Sequence, residues 1–184
     1  MVDTARRLVV EPVDVAYVFP GQGEGEPLPA IAILGQGPAR VLLRFALPSL
    51  EPDIVEAYVV LQRVDVRSDE VPPVSLHVDR IVEPWSSRST RWGLGPRVED
   101  VRAPLTVVTG SPDRPLVRLD VRDLVRKWKA RDPRDQGLAV VSDQRSSSGM
   151  AFALVAGAGL TPETGSAEHH AAYIRGPVLE LYVK

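Results

Sequence analysis

Only one stretch of this sequence carries a helical period. Val117 to Ser142, VRLDVRDLVRKWKARDPRDQGLAVVS, reads as a strand, one short helix, a turn and a second strand. Val121, Leu124, Val125 and Trp128 fall at i, i+3, i+4 and i+7, on one face of a helix over about 121–131. Asp120 can cap its first turn, and Asp123 three residues on makes a weak capping box. Arg126, Lys127, Lys129 and Arg131 suit the negative end of the helix dipole, and Asp132-Pro133 stops the helix.

The rest of the chain is short apolar runs cut by turns, with seventeen prolines and fourteen glycines in 184 residues. That punctuation favours an all-β architecture. Arg7–Val10 and Asp14–Phe19 read as strands broken at Glu11-Pro12, followed by the acidic turn-rich loop Pro20–Pro29. Ala30–Leu34, Arg40–Leu47 and Ile54–Val66 come next. In Val74–Ile81 the alternation predicts Val74, Leu76 and Val78 inward and Ser75, His77 and Asp79 outward. Glu83–Gly95 is a loop with two tryptophans. Leu105–Thr109 and Leu116–Leu119 flank Gly110–Pro115 as a hairpin would, and Leu138–Ser142, Met150–Val155 and Val178–Val183 complete the series. The expectation is one domain over 1–184: a β-sandwich of jelly-roll type with about ten strands and one helix capping an end or edge.

Several function classes fall away on composition. A net charge of −2 gives no general reason to expect nucleic acid as a partner. The absence of cysteine excludes disulfides and thiolate metal sites. No segment approaches the ~20 apolar residues of a membrane span, and no apolar run near the N-terminus is long enough for a signal-peptide core.

The order of segments resembles the bacterial and archaeal DNRLRE-type domains, β-sandwich modules related to alginate-associated carbohydrate-binding modules. RVLLRFALPSL (40–50), followed by Ala57–Leu61, is similar to two strands of that family; WSSRSTRW (85–92) resembles its paired-tryptophan loop. VRLDVRDLVRKW (117–128) with Gly137-Leu138 resembles its strand–helix unit, and RGPVLELYVK (175–184) its closing strand. The match runs from about Val13 to Lys184, with Ala46 standing where the family usually has Asp, and Arg122 where it has Thr or Ser. The resemblance implies an exported, extracellular or cell-surface module.

Candidate chemistry is sparse. Trp85, Trp92 and Trp128 could stack on sugar rings, but the plainer expectation is that all three are core, with the loop pair beneath the helix. Tyr17, Phe19, Tyr58 and Tyr173 are the other aromatics that a ligand could reach. His169-His170 point to opposite sides of an extended chain and chelate poorly, and His77 is distant in sequence. Calcium needs only oxygens, which Asp14, Asp113, Asp132 and Asp135 could offer, yet no motif supports it, and solvated acids are the plainer reading. No nucleophile–base order, paired-carboxylate motif or phosphate cradle stands out, Ser142–Ser148 included, so no enzyme activity is expected. The densest positive patch is on the helix: Arg122, Arg126, Lys129 and Arg131 are the candidate ligand-binding residues, for an acidic polysaccharide. Neighbouring acids offset them, so the leading expectation is a non-catalytic structural or interaction module with protein partners or self-assembly.

Overall fold

The computed structural model describes residues 5–48, 53–64, 72–101, 103–109, 115–130, 135–142, 149–156 and 175–184. Among them are twelve strands and one helix. Most of the predicted runs are strands: β1 (Arg6–Val10), β2 (Pro12–Val18), β3 (Ile31–Leu34), β4 (Arg40–Phe45), β5 (Ile54–Gln62) and β6 (Val74–Ile81). Then come β7 (Val98–Glu99), β8 (Thr106–Val108), β9 (Leu116–Asp120), α1 (Arg122–Lys129), β10 (Leu138–Ser142), β11 (Met150–Ala153) and β12 (Val178–Val183). The two residues of β7 had no sequence signal of their own.

One sheet runs β1-β12-β5-β9; the other runs β2-β4-β10-β6, with both β7 and β8 on the free side of β6. β3 and β11 form a separate ribbon. A single apolar core lies between the layers. Val41, Leu43, Val78, Leu138 and Val140 come from one sheet, and Val59, Leu61, Leu119, Leu179 and Leu181 from the other. These are the alternate, inward positions of their strands, as a period of two requires. The chain is all-β and sandwich-like.

The expected hairpin is not formed. β8 pairs with β6 and β9 pairs with β5, so the chain crosses from one sheet to the other between them. Turn residues between two β runs do not say which strand each run will pair with. Arg63 stands at this crossing: its Nη1 donates to the Thr109 carbonyl at 2.7 Å, and its backbone N–H donates to Pro115 at 2.7 Å.

The helix is shorter than 121–131, ending with Ala130 at its C-cap. Val121 occupies the N-cap position, and the Asp120 carboxylate accepts from the Arg122 N–H at 2.9 Å, one place earlier than a side-chain cap. Asp132-Pro133 lies outside the described residues. Leu124 and Val125 enter the core, and the Val121 N–H donates to Ala57 of β5 at 2.9 Å. Trp128 is only half-buried, packed against the core without entering it.

The outer face of the six-stranded sheet carries a second, smaller apolar cluster of Ala16, Val18, Leu42, Ile81, Trp85 and Ala139. Trp85 is therefore core, but on the far side of a sheet from the helix; its Nε1 donates to the Gln136 carbonyl at 2.8 Å. Trp92 is 38% exposed. The loop pair is thus divided rather than packed together beneath the helix, because the loop follows β6 over the face of its own sheet.

Candidate interaction face

The helical cations are partly spent on the fold. Arg126 donates through Nε and Nη2 to the Ile54 carbonyl at 3.2 and 2.9 Å, fastening α1 to the start of β5. Lys129 Nζ lies 3.8 Å from the Asp53 carboxylate, and Arg122 Nε lies 3.6 Å from Asp123. Arg131 lies outside the described residues, as do Asp113, Asp132, Tyr173 and the His169-His170 pair. Of the three candidate cations described, Arg126 and Lys129 reach groups outside the helix, and Arg122 pairs with Asp123 of its own turn.

Two of the loop acids are structural. Asp14 accepts from Arg44 at 2.9 Å and from the Ser87 N–H, while the Arg44 guanidinium lies over the Trp85 ring, 5.4 Å from its centre, and donates to the Trp85 carbonyl. Asp135 is buried against Arg80, with Nε to Oδ1 at 2.5 Å. Both were expected to be solvated; each instead neutralises an arginine, because a buried charge must be paired. Among the described residues no three His, Asp or Glu side chains converge in a way that could hold a metal ion.

The best-organised polar surface is the outer face of the four-stranded sheet. Its register sets Val9, Glu180, Tyr58 and Asp120 in one row across β1, β12, β5 and β9. Arg7, Tyr182 and Glu56 make the row on one side, and Val178, Val60 and Arg118 the row on the other. Glu180 is only 2% exposed, and half-exposed arginines reach it from both sides: Arg7 hydrogen-bonds Oε1, and Arg118 Nε reaches Oε2 at 3.3 Å. Burial pushes the Glu180 carboxyl up, but the hydrogen bonds and charges of Arg7 and Arg118 outweigh it and hold it below the usual range. Beside this clamp the Tyr58 and Tyr182 rings meet edge to face, with centroids 6.3 Å apart.

This face was not singled out from the sequence. Its signal is the alternation of VLELYV, where Leu179, Leu181 and Val183 turn inward and so leave Glu180 and Tyr182 together on the other side. Arg118 alternates likewise in β9, but nothing in the sequence says that β9 and β1 flank the pair β12-β5.

A second feature is a groove of about 990 Å³ along the edge strand β2, walled by Gln22–Pro29 and Ser87–Arg91 and bridged by Arg91 to Glu24 at 2.7 Å. Two of its charges, Arg91 and Glu24, pair across the groove, and a third, Asp14, is held by Arg44 from outside it.

Compared with protein-family models and with curated proteins, the chain matches none.

Proposed function

We propose that the chain is a non-catalytic module that works by protein–protein contact, in self-assembly or within a larger surface assembly. The observation that supports this most is the outer face of the four-stranded sheet. Tyr and Arg are among the residue types enriched at protein interfaces, and here two of each lie on one face of the sheet. Glu180 fixes both guanidiniums before any partner arrives, which lowers the entropy lost on binding. Exposed Val9 and Leu116 add apolar area at the margins of the same face. The resemblance to DNRLRE-type domains fits a module that decorates or builds larger proteins. Sedimentation velocity over a wide concentration range tests the self-assembling form. Reversible association weakened by Tyr182→Asp is expected; association unchanged by that substitution would remove this face from the account.

One observation favours a second reading, binding of an acidic polysaccharide. Arg122 and Lys129 keep a third or more of their side-chain surface exposed on the helix, where they could meet carboxylates. Arg126 would contribute less, since its donors already serve the Ile54 carbonyl.

A further inference from the structure

On the outer face of the six-stranded sheet, the loop that follows β6 encloses a pocket of about 330 Å³. Its floor is Val18 of β2 with Arg40 and Leu42 of β4, and the register sets Val18 directly opposite Arg40. Val18 and Leu42 are buried members of the outer apolar cluster. The facing wall is the exposed Trp92 with Gly93, Gly95 and Pro96. Gly93 stands at φ +80°, a conformation that strains any side chain, so this wall is largely bare backbone around one indole. The loop is fastened on both sides of Trp92. Before it, the Ser87 N–H donates to Asp14 at 3.2 Å and the Thr90 N–H to the Ser86 carbonyl at 3.1 Å. After it, the Arg97 N–H donates to Glu83 at 3.0 Å and the Arg97 carbonyl accepts from the Val82 N–H at 3.1 Å.

Arg40 is the charge of this pocket. Its side chain is half-buried and, among the described residues, makes no hydrogen bond, ion pair or cation–π contact. Asp79, expected in solvent but only 9% exposed, lies on the same face two strands away, beyond Ala139 of β10. Burial pushes the Asp79 carboxyl up; His77 and Arg40 oppose this through space and Asp100 adds to it. Asp79 and Arg40 form no ion pair, and the Asp79 carboxylate lies 3.6 Å from His77 instead. A guanidinium facing an apolar, half-closed space is complementary to a carboxylate, which its planar fork meets with two hydrogen bonds.

We propose that this pocket binds a small aromatic carboxylate, with its ring between Trp92 and the Val18–Leu42 floor and its carboxylate on Arg40. The volume suits a ligand of one ring, at the small end of ligand sites. A sugar acid fits the chemistry less well. The only polar side-chain groups on the lining are the Arg40 guanidinium and the Trp92 indole N–H, so most sugar hydroxyls would lose water without gaining a side-chain partner. An aromatic ring asks for no such partner and gains from stacking on the indole. The pocket lies on the opposite layer from the Arg7–Glu180–Arg118 face, so the two readings stand or fall separately.

Titration with benzoate at neutral pH, followed by NMR at the Trp92 indole and at the amides of Arg40, Gly93 and Gly95, tests it. Saturable shifts at these groups are expected, with a Kd on the order of 1 mM for so small a probe. Benzyl alcohol keeps the ring without the charge, and glucuronate keeps the charge on a sugar ring; each should bind about tenfold more weakly or worse. Arg40→Met and Trp92→Ala should each weaken benzoate about tenfold. Trp92 is exposed, so Trp92→Ala keeps the test available if Arg40→Met does not fold. Benzoate shifts that do not saturate, an affinity unchanged in either folded variant, or benzyl alcohol or glucuronate bound as tightly as benzoate, would overturn the proposal.

Discussion

The hydroxyl of Tyr17 donates to the carbonyl of Ile33 at 2.8 Å and accepts from the same residue's N–H at 3.2 Å. One side chain of β2 thus makes both bonds that a neighbouring strand would make to the edge of β3. It ties the small β3-β11 ribbon to the six-stranded sheet and blunts an edge that could otherwise recruit another chain. Tyr17→Phe keeps the ring, which stacks on Phe19 at 5.0 Å, and removes only the two hydrogen bonds. It should cost about 1–2 kcal/mol in urea unfolding. An unchanged midpoint would show that water replaces the hydroxyl without penalty.

Glu180 predicts acid sensitivity. Its carboxyl titrates lower in the folded chain than its ordinary value of 4.5, so its stabilising contribution is complete above that value. The contribution is lost as pH falls through the depressed folded value. Glu180→Gln should lower stability at pH 7 and flatten the acid limb of the stability profile. A variant whose acid limb matches that of the natural chain would contradict the clamp.

Gly137 enters β10 at φ +117°, and a Cβ built there would lie 2.4 Å from the Leu43 carbonyl oxygen. The close approach holds β10 against β4 at the core. Gly137→Ala should therefore cost about 3 kcal/mol, from backbone strain and the displaced strand together. Thermal unfolding would reveal a fall of under a degree if that contact can relax.

The two best-placed tryptophans should differ. Trp85 is buried in the outer cluster with its Nε1 bonded, so Trp85→Ala should cost about 3–5 kcal/mol. Trp128 is half-buried, and its Nε1 is shut from solvent without a hydrogen-bond partner among the described residues. Trp128→Ala should cost less, about 1–3 kcal/mol. Chemical denaturation of both variants would refute this order if Trp128 proved the more costly.

How far the fold was legible depends on the range of the interaction. Alternation in RVLLRF and VLELYV and the single helical period at Val121–Trp128 are local, and each corresponds to an element near its expected place. Pairing is not local: the Gly110–Pro115 segment looked like a hairpin turn although its flanking strands belong to different sheets. Asp79 occupies an outward position of its strand, but outward is not exposed when a loop covers that face. The candidate site suffered most. Arg126 reads as a free cation in sequence because its acceptor is a backbone carbonyl 72 residues away, and backbone acceptors leave no trace in the sequence. The Arg7–Glu180–Arg118 clamp likewise joins three segments from both ends and the middle of the chain.

The central claim is that this module works through a protein-binding sheet face and not through a polysaccharide gripped by its helix. Native electrophoresis in gels containing alginate or pectate, at low and high salt, tests it most directly. We expect the chain to migrate as it does in a gel without polysaccharide, and Arg122→Glu to shift mobility only by its own charge. Retardation at low salt that is relieved as the Debye length shrinks from about 10 to 3 Å, and abolished by Arg122→Glu, would contradict the claim.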